Sequence, residues 1–442
     1  REGPVTIAIG GWDAPLGIRL VAGGVATSFL AAATLVMSTI VLFALSTFSA
    51  RDGETRATWA FWPLAFLMWA ALNAVFLSGD LFNIFVAIEF LTLATLALVA
   101  LEGKAATIEA AMRYALFALF GSLTYLLGVV LLYAAHGTLD LGLLATADTS
   151  DTASLVGAAL ITAGLAAKTA LFPFHAWLPP AHAGAPAPAS AMLSALVPKA
   201  SFFVLLQFWF DVMPQAAGPL FVQLIGALGA GAILYGSILA MRQNRLKRLV
   251  AYSTVAQIGY LFLVFPLAGG EGAAQPWSAG AWTGAILQAI SHALAKAAMF
   301  LAAGLVVEAA GHDRLGAVHG LTRTMPMTAF TFALASVTLM GLPPSGGFVA
   351  KYLMLTAAFA SGQIVWAVVI LVGGGLAAVY LFRVLAGAFL PVRGNRTPIA
   401  EARQTLPLAL AGASILLGIV SAPPYEFLQI GRPASVATGG LD

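Results

Sequence analysis

The 442-residue chain contains no cysteine. That excludes disulfides, cysteine-held iron–sulfur clusters and structural cysteine-zinc sites. Charge is scarce too: Asp, Glu, Lys and Arg together make 9% of the residues, where a soluble chain carries roughly a quarter. No cluster of Lys and Arg is interleaved with aromatics, so nucleic acid is excluded as a partner. The six histidines are scattered and form no HExxH pattern, so no metal site and no cofactor is expected. Residues 1–21 hold Gly10-Gly11-Trp12 and Pro15-Leu16-Gly17 but lack the charged start and apolar core of a signal peptide.

Apolar residues are what the chain has. They make 60% of it, with a mean hydropathy of +0.94. Apolar runs near the ~20 residues that cross a bilayer recur along the whole length. The pattern predicts an all-α polytopic membrane protein of about twelve spans, over 22–48, 58–78, 80–101, 109–133, 152–172, 188–211, 218–241, 246–267, 281–306, 326–359, 363–390 and 405–421. Pro343-Pro344 and Gly346-Gly347 break the tenth into two halves. Basic residues gather in alternate loops: Arg51 and Arg56, Lys104 and Arg113, Arg242 to Arg248, Arg314 and Arg323, then Arg393, Arg396 and Arg403. The even-numbered loops carry almost no Lys or Arg, the fourth having Asp140, Asp148 and Asp151 instead, and the fifth, with Pro179-Pro180, carries neither Lys nor Arg. The positive-inside rule makes the basic loops cytoplasmic and puts both termini outside a cell inner (plasma) membrane.

Against this background a few ionisable residues sit inside apolar runs. Such a group costs roughly 2.5–3.5 kcal/mol on insertion scales and marks a functional site by default. Glu89 lies in Phe85-Val86-Ala87-Ile88-Glu89-Phe90 with no local partner, so a lysine on a facing helix is needed to keep it charged. Lys168 precedes Pro173, which cannot donate to the Thr169 carbonyl. The helix should therefore open one turn after Lys168 and leave freed carbonyls to share a small hydrated pocket with the lysine. Lys351 follows the Pro343-Pro344 break in the same way. His292 and Lys296, four apart on one helix face, form with Ser291 a polar stripe. Lys199 follows Pro198. Lysine suits a proton path because it can release its proton, whereas arginine cannot. The blander reading makes these residues structural ion pairs or kinks with a lysine reaching back to an interface. Two proline-broken helices, each the fourth of five spans, suggest two five-helix repeats over 58–211 and 218–390. The odd count places them in opposite orientations. A peripheral helix and loop at 22–57 precede them, and a C-terminal helix and tail at 391–442 follow.

The motifs resemble a family. Gly79-Asp80-Leu81-Phe82-Asn83-Ile84-Phe85-Val86 with Glu89 resembles the glutamate helix of antiporter-like membrane subunits. Lys168 through Pro173-Phe174-His175-Ala176-Trp177-Leu178-Pro179 to His182, Ser190 to Lys199, His292 to Phe300, and Gly341 to Lys351 continue the likeness over nearly the whole chain. The family comprises the proton-translocating subunits of respiratory complex I, membrane hydrogenases and Mrp-type cation/proton antiporters. It implies fourteen helices in two inverted repeats, of which this chain would lack the first two. It also implies a Glu89–Lys168 switch, a central relay of Lys199, His292 and Lys296, and Lys351 as the exit residue. His175, His182 and Ser291 would be supporting polar groups. The glutamate motif resembles the D-type protein of Mrp antiporters, while Ala181 to Ser190 resembles the complex I subunits.

The resemblance implies a subunit that moves protons against sodium, embedded in lipid beside other membrane subunits. The alternative is a non-redox, proton-pumping subunit of a complex I-like oxidoreductase or a membrane hydrogenase. An inorganic-carbon uptake subunit and an inert membrane scaffold complete the set.

Overall fold

The computed structural model describes residues 3–48, 55–270, 274–392, 394–420, 426–430, 432–433 and 436. Arg51 and Arg393, two of the loop charges, lie outside the described residues, as does much of the tail at 391–442. The chain opens with a short antiparallel hairpin, β1 (Val5–Ala8) and β2 (Arg19–Ala22), in register Val5↔Ala22 to Ala8↔Arg19. Hydropathy gave no sign of it. Every long element after it is helical. In a bilayer the backbone must satisfy its own hydrogen bonds, and helices do so within a single segment.

The helices are α1 (Gly24–Thr47), α2 (Arg56–Leu77), α3 (Leu81–Val99), α4 (Ala105–His136), the short α5 (Leu141–Leu144), α6 (Thr152–Thr169), α7 (Leu178–Gly184), α8 (Ala187–Gln207) and α9 (Pro219–Arg242). Then come α10 (Leu246–Leu261), the short α11 (Val264–Ala268), α12 (Pro276–Ala310), the short α13 (Leu321–Thr324), α14 (Pro326–Met340), α15 (Gly346–Ala360), α16 (Ile364–Phe389) and α17 (Glu401–Ile419). Eleven segments among the described residues are long and apolar enough to cross a membrane, with α6 and α7 counted as one. The pair α14 and α15 supplies the remaining expected span, the tenth in order, as two shorter apolar helices. Side-chain caps set several starts: Asp80 accepts from the Asn83 amide at 2.7 Å, and Ser345 from that of Phe348 at 3.1 Å. Left-handed glycines at 137 and 311 stop α4 and α12.

The two halves pack alike. In the first, α2 meets α3, α3 meets α4, α4 meets both α6 and α7, and α8 meets α3 and α6. In the second, α9 meets α10, α10 meets α12, α12 meets both α14 and α15, and α16 meets α10 and α14. Helices α8, α10 and α12 are buried almost all round and form the centre, while α2, α4, α16 and α17 keep a wide exposed apolar face. Small residues allow the closest approach. A Cβ on Gly164 would stand 2.5 Å from the Gly121 carbonyl oxygen, so these glycines let α6 lie against α4.

The loop charges sort to two ends. At one, Arg245 bridges Arg314, the Leu246 amide donates to the Asp313 carbonyl at 2.9 Å, and Arg396 donates to the Ala317 carbonyl at 2.8 Å. Burial there pushes the Asp313 carboxyl above its ordinary range. Lys247 donates to the Ala185 carbonyl, which assigns the uncharged loop before α8 to the same end. At the other end Leu20 bridges Ser78, Asp80 bridges Asp140, and Arg19 pairs with Asp140, Nε to Oδ2 at 2.7 Å. That hydrogen bond holds the Arg19 guanidinium above its usual value.

Candidate functional site

The ionisable residues found in apolar runs converge on the interior. Lys168, Lys199, Lys296 and Lys351 are all buried, as is His292. The line of contacts begins on α3. Glu89 accepts from Lys168 Nζ at 2.8 Å, and its side chain keeps 33% of its surface exposed. Ser122 of α4 donates to the same carboxylate oxygen, and Lys168 also donates to Thr92 Oγ1 at 3.1 Å. The glycine-mediated approach of α6 to α4 lets the lysine reach this carboxylate.

The first helix break does not hold the lysine in the way that the position of Pro173 suggests. Helix α6 ends at Thr169 and Ala170 takes a left-handed turn, φ 59°. The Ala167 carbonyl accepts from the Ala170 amide at 3.2 Å and also from Trp177 Nε1 at 3.1 Å, and the indole stacks on Tyr114 with centroids 4.1 Å apart. Lys168 therefore turns to Glu89 and Thr92. The second break does what was expected of the first. Helix α14 ends at Met340, Gly341 is left-handed at φ 79°, and Lys351 on α15 reaches back to the freed Leu339 carbonyl at 2.8 Å. Gly341 also makes room, because a Cβ there would lie 2.5 Å from Lys351 Cδ. The ammonium sits 4.3 Å from the centre of the Tyr260 ring, close enough for a cation–π contact.

Between these ends lies the relay. Pro198 has no N–H to give to the carbonyl four residues back. Lys199 Nζ takes that carbonyl, of Ser194, at 2.5 Å. The Ser194 hydroxyl meets Thr254 Oγ1 at 2.8 Å, and Thr254 donates to the Val250 carbonyl at 3.2 Å. Lys296 Nζ donates to that same carbonyl at 2.9 Å and also to Ser253 Oγ. Lys199 and Lys296 are thus joined through one turn of α10. On the far side Gln257 Nε2 donates to the Leu339 carbonyl at 3.0 Å, the oxygen that Lys351 uses, and Gln257 Oε1 accepts from Gln288 Nε2 at 2.9 Å. Gln288, His292 and Lys296 stand at four-residue intervals on one face of α12. His292 lies within electrostatic reach of Lys199, Lys296 and Lys351, and neither of its ring nitrogens has a hydrogen-bond partner among the described residues. Buried polar atoms without partners are rare, and a ring free at both nitrogens between three amines can accept a proton from one side and donate from the other.

The supporting residues divide. His182 Nδ1 meets the Leu178 carbonyl at 2.8 Å, the Leu193 backbone is a further polar neighbour, and the ring is within electrostatic reach of Lys199 and Lys296. His175 packs between Phe172 and Tyr235, centroids 5.6 and 4.9 Å away, and touches none of the lysines. Ser291 donates to the Gln288 carbonyl at 3.4 Å, inside its own helix. Thr92, Ser122, Ser194, Ser253, Thr254, Gln257 and Gln288 were not anticipated. Gln288 was open to discovery, being one turn before His292 on the same stripe. Among the described residues no group of His, Asp and Glu could hold a metal ion.

Residues 78–377 match the family model described as NADH:quinone oxidoreductase/Mrp antiporter, TM. The chain is 37% identical over 92% of its length to the N-type protein of an NADH-quinone oxidoreductase from Desulforudis audaxviator, covering 79% of that protein. It is 29% identical over 97% of its length to the D-type protein of an Na(+)/H(+) antiporter from Alkalihalophilus pseudofirmus, covering 86% of that protein. A chain in the Mrp complex structure from a Dietzia species superposes with a TM-score of 0.87 at 25% identity, over 98% of this chain and 88% of that one.

Proposed function

The chain belongs to the NADH:quinone oxidoreductase/Mrp antiporter family of membrane proteins, and we propose that it is the proton-translocating subunit of a multi-subunit cation/proton antiporter that exchanges protons for sodium. The observation that carries this reading is the buried row of Lys168, Lys199, Lys296 and Lys351, entered through one carboxylate and strung on hydroxyl, amide and carbonyl oxygens. A buried ammonium is costly unless paired, so each lysine is stable either with its few oxygen partners or as the neutral amine. Proton hopping requires these two forms to lie close in energy. Opening the Glu89–Lys168 pair would unmask a positive charge beside the row and favour release from the next amine.

Further parts of the proposal are a cell inner membrane, the basic-loop end facing the cytoplasm and both termini outside, supported by the segregation of Arg245, Arg314 and Arg396 from Asp80 and Asp140. The exposed apolar faces of the outer helices fit lipid and other membrane subunits. A second reading, the pumping subunit of a complex I-like oxidoreductase, is favoured by the 37% identity to the N-type oxidoreductase protein. The test is purification from the native membrane followed by dye-reported proton flux in vesicles. A sodium-dependent collapse of a pH gradient supports the first reading. Flux that needs quinone reduction and comes with flavin and iron–sulfur subunits supports the second.

A further inference from the structure

Beneath the N-terminal hairpin lies a cavity of about 290 Å³ whose lining includes Ala26, Ser78, Gln207, Asp211 and Trp282. It opens at the end of the bundle that carries Asp80 and Asp140. Of its polar lining, Arg19 is held by Asp140 and Ser78 by Asp80 and Asn83, while three further groups have no partner among the described residues. Trp282 is fully buried and its Nε1 makes no hydrogen bond, and the buried Gln207 Oε1 is likewise unmatched. Asp211, exposed on the cavity lining, has no hydrogen-bond or ion-pair partner among the described residues. It lies in a π-helical turn, Phe208–Val212, that continues α8. Such turns recur at functional positions. A donor, an acceptor and a carboxylate facing one space select water and protons over an apolar occupant, and the volume holds several waters.

Next to the cavity-lining residues along α1, α2 and α8 stands a cluster of the opposite character. Phe29, Phe76 and Phe203 are buried and mutually packed, with centroids 5.4, 5.3 and 5.2 Å apart. Each lies within about a turn of cavity-lining residues on its own helix: Phe29 after Ala26, Phe76 before Ser78, Phe203 before Gln207. On α8 the residues 199, 203, 207 and 211 follow one another at four-residue steps, so Lys199, the phenylalanine and the two cavity groups share a face. Lys199 and Gln207 are about 12 Å apart along the axis, with Phe203 midway.

We propose that this cavity is a proton-access vestibule from the outside, with Asp211 as its exchange group and the Phe29–Phe76–Phe203 cluster as the apolar gate between it and Lys199. The proposal rests on reading the lysine row as a proton path. Three packed rings exclude water, and hydrophobic constrictions of this kind gate by wetting and drying. The gate would let Lys199 exchange with the outside only when the rings part, so that the row never opens to both sides at once.

The chain has no cysteine, so single introduced thiols report access cleanly. Gln207→Cys and Ser194→Cys, the latter beside the Lys199 ammonium, would be made in the full complex and treated on intact cells with a membrane-impermeant methanethiosulfonate. Modification is read on this chain by mass. Gln207→Cys should be modified from outside and Ser194→Cys should be protected. Adding Phe203→Ala should speed modification of Ser194→Cys by about tenfold or more, whereas Phe202→Ala, an equal loss of volume directed at Phe262, should not. A Gln207→Cys that reacts only from the cytoplasmic side, or not at all, overturns the vestibule. A Ser194→Cys that reacts equally with and without Phe203, or gains as much from Phe202→Ala, overturns the gate. These readouts measure access, so they stand even if proton flux proves to have another route.

Discussion

Replacing Glu89 by Gln removes the carboxylate from the one ion pair on the path among the described residues. The pair is 2.8 Å long. At an effective dielectric of ~20 its attraction is about 6 kcal/mol before desolvation is subtracted. Glu89 keeps a third of its side chain exposed, so solvent screens the interaction, and a coupling of about 1–3 kcal/mol is expected. Lys168 would keep Thr92 and a neutral amide oxygen in place of a charged partner, and the row would lose the element whose opening and closing sets its charge. Coupled proton flux should then fall by roughly ten- to a hundredfold. Lys168→Ala should do the same, since it leaves Ser122 as the only hydrogen-bond partner of Glu89 among the described residues. The double variant should be no worse than either single one, because residues that act as one unit are strongly non-additive. The assay is dye-reported acidification of vesicles that hold equal amounts of assembled complex. Independent, multiplicative losses in the double variant would refute the switch.

Gly341→Ala should lower flux as severely as loss of Lys351, because the new Cβ would displace the lysine stem and force a left-handed alanine; vesicle acidification at normal expression checks it. Gln257→Leu removes the amide between Gln288 and the Leu339 carbonyl, so proton flux should drop while the complex, followed by native electrophoresis, still assembles. Gly164→Leu should separate α6 from α4, and the loss of packing should appear as a melting temperature lower by several degrees and a lower yield. Trp177→Phe keeps a ring on Tyr114 but removes one of the two donors to the Ala167 carbonyl, a loss of about 1 kcal/mol that thermal unfolding in detergent should report.

The helices were legible because lipid imposes a length and a composition, and each expected span has a counterpart in the structure. The two breaks were legible from proline and glycine. What the sequence did not display was which partner each broken end would choose. Pro173 marks an opening, yet Trp177, four residues further on, takes the Ala167 carbonyl and sends Lys168 to α3. That choice depends on how closely α4 and α6 approach, a tertiary matter written only in glycines that look like any others. The lysines and His292 stood out because charge is rare in this chain. Thr254, Ser253 and Gln257 did not, since hydroxyls and amides are common in apolar helices and usually bond to their own backbone. Their role follows from the face of α10 that meets α8, α12 and α14. His175 shows the converse: a histidine beside a helix break, singled out by type and context, that packs between aromatic rings away from the row.

The central claim is that a proton passes through Lys296, fully buried between Val250 and Ser253. Lys296→Arg keeps the charge and the donors but not the ability to give up a proton, since guanidinium does not deprotonate in proteins. Proton flux in vesicles containing the intact complex is the deciding measurement. The account predicts an assembled complex with flux at background. Flux near that of the unsubstituted protein would contradict it, because the position would then supply only charge and not a proton.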